Sequence, residues 1–160
     1  MAVDLFLKLD GIPGESTDAR HKDEIELEAF GWGLSNQHPA GGGGGGGAGK
    51  PLFQPLSAVM RTSRAAPPLV LACASGQHLK TAVVTARKSG GQQQDYLVIK
   101  LSDVLVSSYH VAGSEGSDAP TDQVTLEFAR IEIEYRALRP DGSLAPPVRA
   151  GWDVKTNKKV

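Results

Sequence analysis

At 160 residues, with 40% apolar and 22% charged side chains, the chain is long enough for one domain with a single core. A formal net charge of −1 offers no electrostatic footprint for nucleic acid or an anionic membrane, and Cys73 as the lone cysteine excludes an intrachain disulfide or a thiolate zinc cluster. Nineteen glycines and ten prolines favour a turn-rich, β-dominated fold.

Val3, Leu5, Leu7 and Leu9 alternate with Asp4 and Lys8, a period of two that predicts a first strand ending at Asp10-Gly11. The start Met-Ala-Val-Asp-Leu has neither a basic n-region nor a long apolar stretch, so cytosolic synthesis without a signal peptide is expected. Ile12 to Asp23, rich in Gly, Pro, Glu, Ser and Asp, reads as a surface loop. From Glu24 the alternation returns, with Ile25, Leu27 and Ala29 opposite Glu24, Glu26 and Glu28. At Ala29-Phe30 the phase slips, and Phe30, Trp32 and Leu34 take the side that had carried glutamates. A strand that bends or passes between sheets does this, and Gly31 and Gly33 supply the freedom.

Seven glycines follow, Gly41 to Gly47, then Ala48, Gly49 and Lys50. Each glycine has more backbone entropy to lose than any other residue, so a projecting loop over about 37–50 is expected. Leu52 to Met60 can form a strand that Pro55 demotes to an edge or bulge. Leu69, Ala72 and Cys73 fall at i, i+3 and i+4 after two prolines and before Gly76, which predicts one short helix without a capping oxygen at its start. Further strands are expected at Thr81 to Lys88, Tyr96 to Leu101, Val104 to Val111, Val124 to Tyr135 and Val148 to Val154. The long one slips phase at Ala129-Arg130, and a basic tail follows the last. About eight strands and one helix point to a mainly β fold, a closed or nearly closed barrel in one domain spanning 1–160.

From Met1 to Glu28 eight acids face three bases, whereas between Glu28 and Asp95 there are six bases and no acid. This split suggests complementary ends suited to head-to-tail association. Gly44 to Lys50 satisfies G-x-x-x-x-G-K, but Pro51 stands where a phosphate loop needs Ser or Thr, and a strand is expected where it needs a helix. In a glycine run the match is close to automatic. His21, His38, His78 and His110 lack ligand spacing, Cys73 lies in an apolar run, and no G-x-S-x-G elbow occurs. Glu24, Glu26 and Glu28 read as a solvated face, and Trp32 and Trp152 as core. No catalytic residue, metal or cofactor is assigned.

Much of the chain follows one pattern: Ala2-Val3-Asp4-Leu5-Phe6-Leu7-Lys8, Gly14-Glu15-Ser16, Ala29-Phe30-Gly31-Trp32-Gly33-Leu34-Ser35 and the glycine run ending in Lys50. It continues through Leu71-Ala72-Cys73-Ala74-Ser75-Gly76, Arg87-Lys88-Ser89-Gly90-Gly91, Val104-Leu105-Val106-Ser107-Ser108 and Gly151-Trp152-Asp153. In these residues it resembles the Hcp (haemolysin-coregulated protein) family, tube components of bacterial type VI secretion systems. The resemblance implies a two-sheet β-barrel with one helix, hexameric rings stacked into a tube, and export inside a contractile sheath behind a spike protein. Effector proteins would ride in the lumen, with neither nucleic acid nor membrane insertion involved. Beside this reading, Gly31 and Trp32 are candidates for lumen or effector contact. Gly44, Gly47, Ala48, Lys50 and Leu52 are candidates for subunit or ring contact. The alternatives are a monomeric β-barrel binding module and a nucleotide binder using Lys50.

Overall fold

In a computed structural model, residues 2–36, 49–89 and 92–160 are described. The expected glycine-rich loop falls almost wholly outside them, and with it Gly44, Gly47 and Ala48. Eleven strands and one helix occur among the described residues.

β1 (Val3–Leu9) forms on the expected alternation, and a left-handed Gly11 (φ 78°) follows it. Its second face is not fully solvated, because Phe6 is buried along with Leu7 and Leu9. Ile25 to Gly31 makes two short strands, β2 (Ile25–Leu27) and β3 (Ala29–Gly31), separated at Glu28. β2 pairs with β1, while β3 pairs with β6 (Leu56–Arg61). The phase slip is the point where the chain changes partners.

β4 (Leu34–Asn36) and β5 (Pro51–Phe53) pair as a separate two-stranded sheet. Pro55 divides the expected 52–60 strand into β5 and β6, since proline cannot donate to a ladder. α1 (Ala66–Ser75) has prolines in its first turn, no side-chain cap at Ala65, and Gly76 closing it at φ 67°. Leu69 and Ala72 enter the core and Cys73 packs half-buried against it.

β7 (His78–Lys88), β8 (Asp95–Ala112) and β9 (Thr121–Tyr135) are the long members. The expected break near Ser102-Asp103 is not a break. β8 runs through it with Asp103 in the left-handed region (φ 53°), and the inward set changes from Ile99 and Leu101 to Val104 and Val106. Opposite Asp103 lies Ala129, where β9 makes its own slip from Val124 and Leu126 to Ile131. β9 pairs with β6 over Thr121 to Leu126 and with β10 (Val148–Asp153) over Arg130 to Tyr135. Both strands of this ribbon thus shift one residue at the level where its outer neighbour changes. The basic tail also departs from expectation: after a left-handed Asn157 (φ 56°) it returns as β11 (Lys158–Lys159) on β10.

The hydrogen-bonded order is β11-β10-β9-β8-β7-β1-β2, with β6 on β9 and β3 on β6. Among the described residues no ladder joins β2 to β6; the circuit from β1 round to β6 is completed at Glu28, the link between β2 and β3, whose N–H donates to the Val59 carbonyl of β6 at 2.8 Å. The result is a strongly curled mainly β fold in two sheets, a nearly closed barrel as expected, with its sheet interrupted at Glu28. Its core runs from Leu7 and Ile25 through Leu56, Leu69, Ile99 and Leu126.

The loop between β1 and β2 is not simply superficial. Ile12, Ser16 and His21 are buried, and Gly14 N–H and Ser16 N–H donate to the carbonyls of Asp23 and Glu24 at 2.7 and 3.0 Å. Three of the six bases of the basic block, Arg61, Arg64 and Arg87, meet acids of the first block within the molecule. Arg64 pairs with Asp23, Arg61 with Glu28, and Arg87 with Asp4 and Asp18. The two blocks that look like opposite ends in the sequence lie against each other in the fold.

Candidate assembly surface

The β4–β5 hairpin stands off the main sheet, held by Gln54 N–H donating to the Gly33 carbonyl (2.8 Å) and Asn36 Nδ2 donating to the Gly49 carbonyl (2.7 Å). Between this hairpin and the β9–β10 edge lies an apolar groove of about 520 Å³. Trp32, Leu34 and Phe53 form one wall, and Ile131, Ile133 and Trp152 the other. Among the described residues no charged side chain lines it. Leu34 and Leu52 are each more than half exposed, at 53% and 54%. The two tryptophans expected as core are half-buried groove walls, and the buried Nε1 of Trp152 has no acceptor. This second wall went unnoticed in the sequence because nothing local links 32–34 with 131–133 and 152; the available signal was two tryptophans in Gly-flanked segments.

Gly31 and Trp32 separate. Trp32 turns toward the core and groove, and Gly31 faces outward beside Ser57. The pairings Gly31–Ser57, Ser57–Thr125 and Thr125–Ser108 place four small residues in one row across β3, β6, β9 and β8. Ser107 and Ser108 hydroxyls both lie within hydrogen-bond reach of Thr125 Oγ1 (2.7 and 2.5 Å), so the row is polar but uncharged. Lys50 and Leu52 are exposed, Lys50 at the loop end of the hairpin and Leu52 within β5, and Lys50 leads into β5, not into a helix that could aim N–H groups at phosphate.

Four clusters of titratable groups among the described residues each tie separate segments together with a buried or bridging member. His21 stacks on Phe6 with centroids 4.3 Å apart, meets Glu24 through Nδ1, and meets Asp95 through Nε2 at 3.1 Å. Arg87, buried, donates to Asp18 (2.7 Å) and lies over the Phe6 ring. That guanidinium bond, joined by backbone N–H donors of Arg20 and His21, holds the Asp18 carboxyl well below the usual range. The contribution is therefore present above the ordinary carboxylate pKa of about 4 and is lost only as pH falls through Asp18's depressed value. Asp103 accepts from Lys155 (2.6 Å) and bonds His78 (2.9 Å), which lowers its pKa and fastens the C-terminal turn onto the β8 kink.

The fourth place surrounds Asp122, which is buried and accepts from Thr62 at 2.8 Å. Burial, with the neighbouring Asp122 carboxylate second, pushes the Tyr109 phenol up to about 12. Since the folded value is raised, this contribution is intact below about pH 10 and is lost as pH climbs toward 12. A near-ultraviolet titration should show one of the three tyrosines ionising last, a step that disappears in Tyr109→Phe. Three phenols ionising together near pH 10 would contradict this.

None of the four offers a nucleophile beside an oriented base, and no group of His, Cys, Asp and Glu among the described residues is arranged to hold a metal ion. No helix among them is long and apolar enough to cross a membrane. A curled β-sheet flanked by one helix and carrying an open apolar groove defines a class of mainly β domain without a recognisable catalytic centre among the described residues. Residues 6–135 match the family described as "Type VI secretion system effector, Hcp". The chain is 43% identical over 159 residues to protein hcp1 of Pseudomonas aeruginosa, covering 98% of each. Among solved structures it resembles a type six secretion system protein at TM-score 0.94 and 31% identity, covering 99% of this chain and 100% of that one. It resembles Hcp1 of Salmonella typhimurium at TM-score 0.80 and 34% identity over the full length of both. The chain belongs to the Hcp family of type VI secretion proteins.

Proposed function

We propose that this protein is a structural, non-enzymatic subunit of the type VI inner tube. Six copies close a ring, rings stack head to tail, and the tube is exported by type VI secretion. A contractile sheath surrounds it, a spike protein sits at its tip, and small effector proteins travel in its lumen. The observation that carries this reading is the groove: an apolar, charge-free surface with half-exposed Leu34 and Leu52 beside it is costly for a single copy and useful to an assembly. Negative-stain imaging with native mass measurement tests it. Toroids of six copies are expected, and strictly single copies at high concentration would defeat the proposal.

The small-residue row through Gly31 supports a smooth lumen wall. A Cβ at Gly31 meets only Ser57 Oγ, at 3.6 Å, so a side chain there has room to extend outward. Gly31→Arg should therefore fold and form rings yet lose effector proteins that co-purify with the parent. Undiminished co-purification would remove Gly31 from the lumen.

A further inference from the structure

We propose that the groove of one copy receives the outer face of α1 from another. The inference rests on the tube-subunit reading and names a contact which that reading requires. α1 is apolar on two sides. Ala66, Leu69 and Ala72 are buried against the sheet. On the outside, Pro67, Val70, Leu71 and Ala74 stand at i, i+3, i+4 and i+7, and all four are exposed. Val70 is 47% and Leu71 65% open to solvent. An amphipathic surface helix turns a polar face outward; a helix apolar all round is one that becomes buried all round.

Charge selects the occupant. The chain carries 17 basic and 18 acidic residues, yet neither Ala66–Ser75 nor the groove lining among the described residues includes one. Each surface can be dehydrated by the other without stripping water from an ion, whereas a charged partner would pay that penalty on either. An apolar helical stripe lying in an apolar groove is an established mode of protein recognition. α1 packs on β8, and the groove walls come from the β3–β5 segment, β9 and β10, so the two surfaces share no residue and one copy can use both at once. Because they differ, the contact is heterologous: it repeats from copy to copy and closes wherever the rotation permits.

The test uses the full chain with Cys73→Ser throughout. A Leu34→Cys copy and a Leu71→Cys copy are mixed, allowed to assemble, and treated with a short bismaleimide. Rings should yield a mixed pair whose joined peptides contain positions 34 and 71, detected by mass spectrometry. In parallel, Leu71→Glu should reduce the ring population at least about tenfold while the single copy melts as the parent does, because Leu71 is exposed there. Rings that form without the 34–71 product, or that survive Leu71→Glu unchanged, overturn this contact and leave the tube reading standing. Absence of rings from the parent protein defeats both.

Discussion

Gly14→Ala should destabilise the fold by about 3 kcal/mol or more, measured by urea unfolding of the single copy. Gly14 lies beside the entry to β2, and its N–H donates to the Asp23 carbonyl at 2.7 Å. A Cβ there would stand 2.5 Å from the Glu24 carbonyl oxygen and 2.6 Å from Ile25 Cα. Both obstacles are backbone, so no rotamer change relieves them. Relief requires moving Ile25, which is buried and paired with Leu7 across the β1–β2 ladder. It also disturbs Arg64, whose Nε donates to the Gly14 carbonyl while its guanidinium holds Asp23. Gly11→Ala is the comparison. That residue has φ 78° with nothing within 4 Å of the added carbon, so only left-handed strain of about 1–2 kcal/mol applies. A Gly14→Ala variant no less stable than Gly11→Ala would refute the close-approach argument.

Leu126→Ala should cost about 4 kcal/mol, a large part of the 5–15 kcal/mol typical of a whole domain. Leu126 is fully buried at the centre of the sheet, where its pairings place it between Leu56 on β6 and Val106 on β8, both buried as well. Neighbours held in ladders on both sides have little freedom to collapse into the space, so the cavity persists and adds to the lost transfer energy. Glu127→Ala, one residue on and exposed, should stay within about 0.5 kcal/mol. Both should be measured at concentrations too low for rings, since association raises apparent stability by mass action. Equal effects from Leu126 and Glu127 would show that the inward register of β9 is misassigned.

The slip at Ala29-Phe30 and the one at Ala129-Arg130 were readable because a strand's two faces alternate residue by residue. A change of buried side therefore leaves a mark in the local order of apolar residues. Asp103 left less trace: a polar residue between Ser102 and Val104 looks like a break, and only the opposing slip in β9 shows that it is a kink in a continuous strand. The loop of residues 12–23 misleads for a related reason. Its composition is that of a solvent-exposed turn, yet Ser16 and His21 are buried: Ser16 is bonded to Asp18, Asp23 and Glu24 as the loop folds on itself, and His21 is covered by Phe6 of β1 and reaches Asp95 of β8. The family pattern did include Gly14-Glu15-Ser16, but composition and spacing gave no reason for it.

Local order settled the mainly β class, the single helix with its Gly76 stop, and the strands that change sides, since period, proline and glycine act over a few residues of chain. The apolar groove, the pairing of Asp18 with Arg87 sixty-nine positions away, and that of His21 with Asp95 seventy-four away required the folded sheet. Those arrangements depend on which strands become neighbours, a choice made by the packing of the whole core and by charges that meet only once it has formed.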